Sequence, residues 1–186
     1  MNSILYRATF LSFVALSACL HSSATAQTLD AELQKTPATR WAERANAEGD
    51  AARGAVVFFQ PAMACSKCHT VTGGPSPLGP DLSTVPKDTM TEALVESILA
   101  PSRVIRKGFE SVVLSTKSGQ VLTGPIAERT AEKITLRDVS HPGQVITLPT
   151  AEIEEIRENA VSLMPAGQMN QLTSAQQFLD LVKYLV

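Results

Sequence analysis

Cys65-Ser66-Lys67-Cys68-His69 is the stretch from which the rest of this chain can be read. Two cysteines separated by two residues and followed at once by histidine form the attachment signature of a c-type haem. The spacing has a chemical cause. Each thiol adds across one vinyl group of the porphyrin, and the adjacent imidazole is then held beneath the iron as its proximal ligand. Two other chemistries use paired cysteines. A thioredoxin-like redox pair belongs near a βαβ pattern, which the flanking sequence lacks. A zinc site needs a second Cys/His pair at ligand spacing, and the chain has none. The motif therefore predicts one covalent haem c, held through Cys65 and Cys68, with His69 on the iron.

Upstream of the motif, Asp50 is placed to cap a helix over 51–59 that runs directly towards the cysteines. Gly54 lies inside that helix, where glycine costs about 1 kcal/mol relative to alanine, so another backbone or ring is expected to approach it closely. Before it, Thr36-Pro37 offers a cap and a first-turn proline for a short helix over 38–45. Trp41, the only tryptophan, is expected to pack against the rest of the chain rather than to hydrogen-bond a haem propionate.

Downstream, residues 73–82 are rich in glycine and proline and fit no regular element. A loop of this kind can wrap the motif and offer a carbonyl to the outward nitrogen of His69, and Pro80 is the candidate for that carbonyl. Thr89 and Glu92 stand in capping-box register ahead of a helix whose apolar stripe is Leu94, Val95, Ile98 and Leu99, ended by Pro101.

From Phe109 the apolar period changes to two. Segments 109–115, 121–127, 134–137, 145–148 and 153–157 read as short strands joined at Lys117-Ser118-Gly119 and His141-Pro142-Gly143. Their spacing predicts an antiparallel sheet or small barrel of about five strands. His141 falls in a turn and is expected to be an exposed loop histidine rather than a second iron ligand. Helical pattern returns with Thr173 and Gln176 in capping-box register and a stripe of Phe178, Leu181, Val182 and Leu185.

The second axial ligand is sought among the methionines. Met63 is too close to the attachment site to reach the opposite face of a haem, and Met90 opens an amphipathic helix where a packing or surface role is more natural. Met164 is preferred because Pro165 biases the backbone before it towards an extended form, which suits a loop laying a thioether over the iron. Met169, five residues on in the same irregular stretch, remains open.

The N-terminus reads as an export signal, with Arg7 followed by an apolar run over 8–20 that is too short to span a bilayer. Ala24-Thr25-Ala26 before Gln27 suits ordinary signal peptidase, whereas Leu16-Ser17-Ala18-Cys19 resembles a lipobox that would give a lipid-anchored protein through Cys19. Either route places the mature protein outside the cytoplasm, in the periplasm or beyond. Cleavage after Ala26 leaves Cys65 and Cys68 as the only cysteines and excludes a disulfide framework. With 16 basic against 18 acidic residues and no dense basic run, nothing points to nucleic acid or to a strongly cationic membrane face.

Taken together, several stretches resemble those of class I c-type cytochromes, and more closely the Pirellula/Verrucomicrobium-type haem-binding domain family. They are residues 49–54 leading to Phe58, the cysteine motif, Gly79-Pro80-Asp81-Leu82, residues 98–102 with Ile105 and Gly108, Ser162-Leu163-Met164-Pro165, and residues 180–185. The resemblance covers about residues 48–186. It implies that Cys65 and Cys68 attach haem, that His69 and Met164 ligate iron, and that Pro80 supports His69. It also implies that the helix carrying Gly54 crosses the one carrying Tyr184. Phe109 stands where the family pattern has tyrosine.

The expected fold is therefore mainly α and cytochrome c-like, with an inserted small antiparallel, barrel-like β unit. Its divisions are a signal peptide (1–26), a helical extension (27–47), a haem domain (48–107 and 159–186) and the β insert (108–158). The expected function is one-electron transfer with a redox protein partner. Two alternatives are a haem enzyme or small-ligand sensor in which Met164 is displaceable, and a binding module that uses the β insert.

Overall fold

A computed structural model describes residues 28–84 and 91–186. The signal peptide, the competing sites at Ala26 and Cys19, Met90, and the Thr89 half of the expected capping box lie outside the described residues. Among the described residues there are six α-helices and a five-stranded antiparallel sheet. The helices are α1 (Leu29–Leu33), α2 (Ala38–Glu48), α3 (Ala51–Phe59), α4 (Cys65–Cys68), α5 (Thr91–Leu99) and α6 (Ala175–Leu185). The strands β1 (Ser111–Thr116), β2 (Val121–Arg129), β3 (Lys133–Arg137), β4 (Val145–Pro149) and β5 (Ile153–Asn159) all lie between α5 and α6.

Helix α3 begins where its cap predicts: the Asp50 carboxylate accepts from the Arg53 amide at 2.9 Å. Its neighbour is α6, and the reason is Gly54. A Cβ built at that position would lie 1.9 Å from the Asp180 carbonyl oxygen and 2.7 Å from Tyr184 Cβ, so only glycine lets the two backbones meet. Gly49 does the same one turn earlier, beneath the Leu179 carbonyl.

Asp180 fastens this crossing. Its carboxylate, 3% exposed, accepts from Arg53 Nε at 2.7 Å and Arg53 Nη2 at 2.9 Å, from the Asp50 amide at 2.8 Å and from Gln176 Nε2 at 2.9 Å. The charge-assisted bonds from Arg53 hold its carboxyl down at about 2. Helix α6 also closes the end of α2, where Gln176 and Lys183 donate to the Glu48 and Asn46 carbonyls.

The apolar core beside this crossing joins Leu33, Trp41, Ala45, Val57, Phe58, Val95, Ile98, Phe178, Leu179 and Val182. The segment expected as an extension is thus built into the helical core. Trp41 packs edge-on against Phe178 at 5.5 Å and gives its indole N–H to the Leu33 carbonyl at 2.9 Å. Helix α1, capped by Thr28, has no counterpart among the sequence expectations, because five residues carry too little periodicity to read.

Two expected caps are corrected. Pro37, not the Thr36 side chain, sits at the N-cap of α2, with its carbonyl accepting from the Arg40 amide. In α6 the N-cap is Ser174, and Gln177 rather than Gln176 reaches back, accepting from the Thr173 amide at 2.8 Å. Gln176 is drawn instead to Asp180.

The strand order is β4-β3-β2-β1-β5. The expected barrel-like form is corrected: β4 and β5 are the two edges, so the sheet is open. A barrel needs its edge strands hydrogen-bonded to each other along their length. Here β4 and β5 are successive in the chain, separated only by the turn Thr150–Glu152, yet they do not pair with each other. A register shift between Ile126 and Glu128 of β2 bends the sheet there. Val112, Leu114, Ile134 and Leu136 form the sheet's own apolar core, distinct from the helical one.

The unit's two ends meet. Ser111 pairs with Asn159 at the start of β1 and end of β5, and the Ser162 amide donates to Ser102 Oγ at 3.0 Å.

Replacing Asp180 with asparagine removes the charge that holds Arg53 and the α3 cap, and unfolding by denaturant should show a loss of about 2–4 kcal/mol. In the unmutated chain the folded pKa is depressed, so the carboxylate's contribution is complete above the ordinary carboxylate range. It fades as pH falls towards about 2, a loss of about 1–2 kcal/mol once the water around Arg53 is allowed for. Excision of residues 103–161 with a short linker should leave a helical protein with a cooperative thermal transition, since the sheet takes its own core with it.

Candidate functional site

The turn before the motif is set by an unusual backbone. Ala64 has φ +52°, the one left-handed non-glycine residue among those described. An alanine there costs about 1–2 kcal/mol, and it aims the chain into the single turn of α4. Within that turn the Cys65 carbonyl accepts from the His69 amide at 3.0 Å. Cys65 and Cys68 therefore lie three positions apart on one helical face. His69 then leaves the helix in an extended conformation, with φ −116° and ψ 143°.

Both thiols are free and half-buried, and burial pushes both above the ordinary thiol range. They are protonated at neutral pH. A disulfide partner elsewhere does not exist among the described residues, where no other cysteine occurs.

The glycine- and proline-rich loop is irregular up to a short turn at Leu82–Thr84, and it is bound to the motif through one carbonyl. Cys68 O accepts from the Gly79 amide at 2.9 Å, the Leu78 amide at 3.3 Å and Ser76 Oγ at 2.8 Å. Ser76 Oγ in turn accepts from the Thr70 amide at 3.1 Å, and the Leu82 amide donates to the Thr70 carbonyl at 2.8 Å. These bonds bring the Pro80 carbonyl to 2.9 Å from His69 Nδ1.

A carbonyl oxygen only accepts, so His69 Nδ1 carries the proton. In the neutral ring Nε2 is then the free lone pair. Burial pushes the His69 pKa below its ordinary value; the bond to Pro80 only partly opposes this, so the net lowering leaves the ring neutral at pH 7.

Gly79 completes the cradle. A Cβ there would lie 2.3 Å from His69 Cε1 and 2.6 Å from Nδ1, so the imidazole rests directly on the glycine backbone. The sequence marks Gly79 as part of a glycine-proline stretch and of the Gly79-Pro80-Asp81-Leu82 resemblance, but not its contact with the ring. Its contact with the ring depends on how the loop folds back, which no local pattern encodes.

The methionines separate by burial. Met63 and Met169 are each 1% exposed and belong to the helical core. Met164 is half-buried and lies against the margin of that core, as do Cys65, Val71, Leu82 and Tyr184. Its amide donates to Ser162 Oγ at 3.2 Å. Gln168 Nε2 donates to the Met63 carbonyl, tying this irregular segment to the turn that precedes the motif. His141 is an exposed turn residue 2.8 Å from Asp138.

The donor set fits a covalently attached haem. It offers two free thiols on one face and a neutral imidazole with one nitrogen anchored and the other open. It also offers a thioether outside the closed core. Among the described residues no group of three His, Cys, Asp or Glu side chains converges to hold a metal ion. None of the described helices is long and apolar enough to cross a membrane. No known protein-family model matches the chain, and no curated protein matches it in sequence.

Gly79→Ala should displace the imidazole from its seat. In haem-free protein, proton NMR titration should show the His69 pKa moving up towards its ordinary value as the ring gains water, with a stability loss of about 1–3 kcal/mol.

Proposed function

We propose that this chain is an exported monohaem c-type cytochrome that carries one electron at a time between redox proteins of the cell envelope. The observation that carries the reading is the pairing of Cys65 and Cys68 on one turn with a His69 ring anchored through Nδ1 by the Pro80 carbonyl. In this reading Cys65 and Cys68 would hold haem c through two thioether bonds, and His69 Nε2 would ligate its iron. When bound, the haem supplies an iron that alternates between the ferric and ferrous states.

The chain's own residues do the rest. Pro80 fixes the tautomer and plane of His69 and raises the basicity of Nε2. Gly79 sets how far the ring sits from the loop. The hydrogen bonds at the Cys68 carbonyl hold that loop, and with it the His69 ring, in one place. Met164 would supply the second iron ligand: Met63 and Met169 are enclosed in the helical core, and a thioether paired with histidine is the ligation of electron-carrying c-type cytochromes.

The same features support the resemblance to class I cytochromes. The crossing of the Gly54 helix with the Tyr184 helix is the arrangement that the resemblance implies, and Phe58 lies against Tyr184 with ring centroids 5.6 Å apart. The β unit at 108–158 is the part of the chain that this reading leaves for contact with a partner.

Matured protein should give a ferrous spectrum of a low-spin, six-coordinate haem that resists carbon monoxide, and Met164→Ala should bind carbon monoxide rapidly. Rapid binding by the unmutated protein would replace electron carriage with ligand sensing or catalysis. Cys65→Ala with Cys68→Ala should abolish covalent haem, read as the loss of pigment retained through acid-acetone extraction.

A further inference from the structure

We propose that the cleft between the motif loop and the β3–β4 turn is a binding site for a small monocarboxylate with an apolar body. The cleft holds about 310 Å³ and is lined by Pro75, Ser76 and Pro77 on one side and by Arg137, Gln144 and Val145 on the other. That is at the lower end of the volumes that take small molecules.

Arg137 supplies the charge. The residue is half-buried at the end of β3, and its guanidinium makes no ion pair or hydrogen bond among the described residues. The nearest acid along the strand, Asp138, is already engaged by the Ser140 amide and His141 at 2.8 Å each. A guanidinium presents parallel N–H donors that match one carboxylate. With a single cation in the lining, the site suits one negative charge better than a phosphate dianion. Pro75, Pro77 and Val145 offer apolar wall to the remainder of such a ligand, and the Gln144 side chain offers hydrogen bonds at its rim.

The cleft also touches the motif. Ser76 lines it while donating to the Cys68 carbonyl and accepting from the Thr70 amide. A ligand seated there therefore presses on the loop that anchors His69. Binding itself does not depend on the haem reading; only its effect on the haem does.

Benzoate is the probe, titrated calorimetrically into the full exported chain, with benzamide as its neutral isostere. Saturable benzoate binding is expected, with benzamide at least about tenfold weaker because the charged pair is lost. Arg137→Ala should weaken benzoate by a similar factor, and Arg137→Lys by less. Val145→Glu, at an exposed position, should repel benzoate while leaving the thermal transition unchanged. Equal binding of benzoate and benzamide, binding unaffected by Arg137→Ala or Val145→Glu, or no saturable binding would each overturn the site. A shift of the haem absorption bands on benzoate binding tests the link through Ser76. If the protein carries no haem but benzoate still binds through Arg137, the cleft stands and the cytochrome reading falls.

Discussion

The helical part of this protein depends on how closely α3 can approach α6. At Gly54 the backbone of one helix lies directly against the Asp180 carbonyl of the other, and there is no room for even a methyl group. Close contact brings Phe58, Val57, Phe178, Leu181 and Val182 into one buried cluster. It also sets the Asp180 carboxylate at the N-terminus of α3, where Arg53, the Asp50 amide and Gln176 converge on it. Apolar burial supplies the driving force for this packing, while the buried, fully paired carboxylate fixes its register.

The motif takes its shape from that packing. Helix α3 delivers the chain to Gln60, and the left-handed Ala64 then turns it into α4. The loop that follows is not held by an apolar core of its own, apart from the buried Leu78. It is held by hydrogen bonds that converge on the Cys68 carbonyl and the Thr70 backbone. Backbone amides and one hydroxyl thus do for the loop what side-chain packing does for the helices. The orientation of His69 follows from both, through Gly79 beneath the ring and Pro80 beside it.

The β unit obeys a different logic. Its ends are paired with each other, and its buried core of Val112, Leu114, Ile134 and Leu136 is separate from the helical one. An inserted unit built this way can be added without disturbing the host packing, because the chain leaves and returns at almost the same place. Its β3–β4 turn nonetheless comes back to the motif loop and shares a cleft with it. The unit has an apolar core of its own but lies beside the candidate site.

The sequence by itself determined the elements and the chemical identity of the donors. Asp50, the alternation from β1 to β5 and the stripe of α6 are local patterns whose physical causes act within a few residues, and the helices and strands follow them closely. The nearness of Gly54 to another backbone was legible too, because glycine inside a helix has a local cost that calls for a nearby cause. Only the tertiary structure decided what lies far apart in the chain. It turned Gln177 instead of Gln176 back to Thr173, since Asp180 and the end of α2 compete for Gln176. It left the sheet open, because closure depends on pairing between edge strands and not on the pattern within any one strand. It seated His69 on Gly79, and it sorted Met164 from Met63 and Met169 by burial, a property of the whole packed core that no single stretch of residues carries.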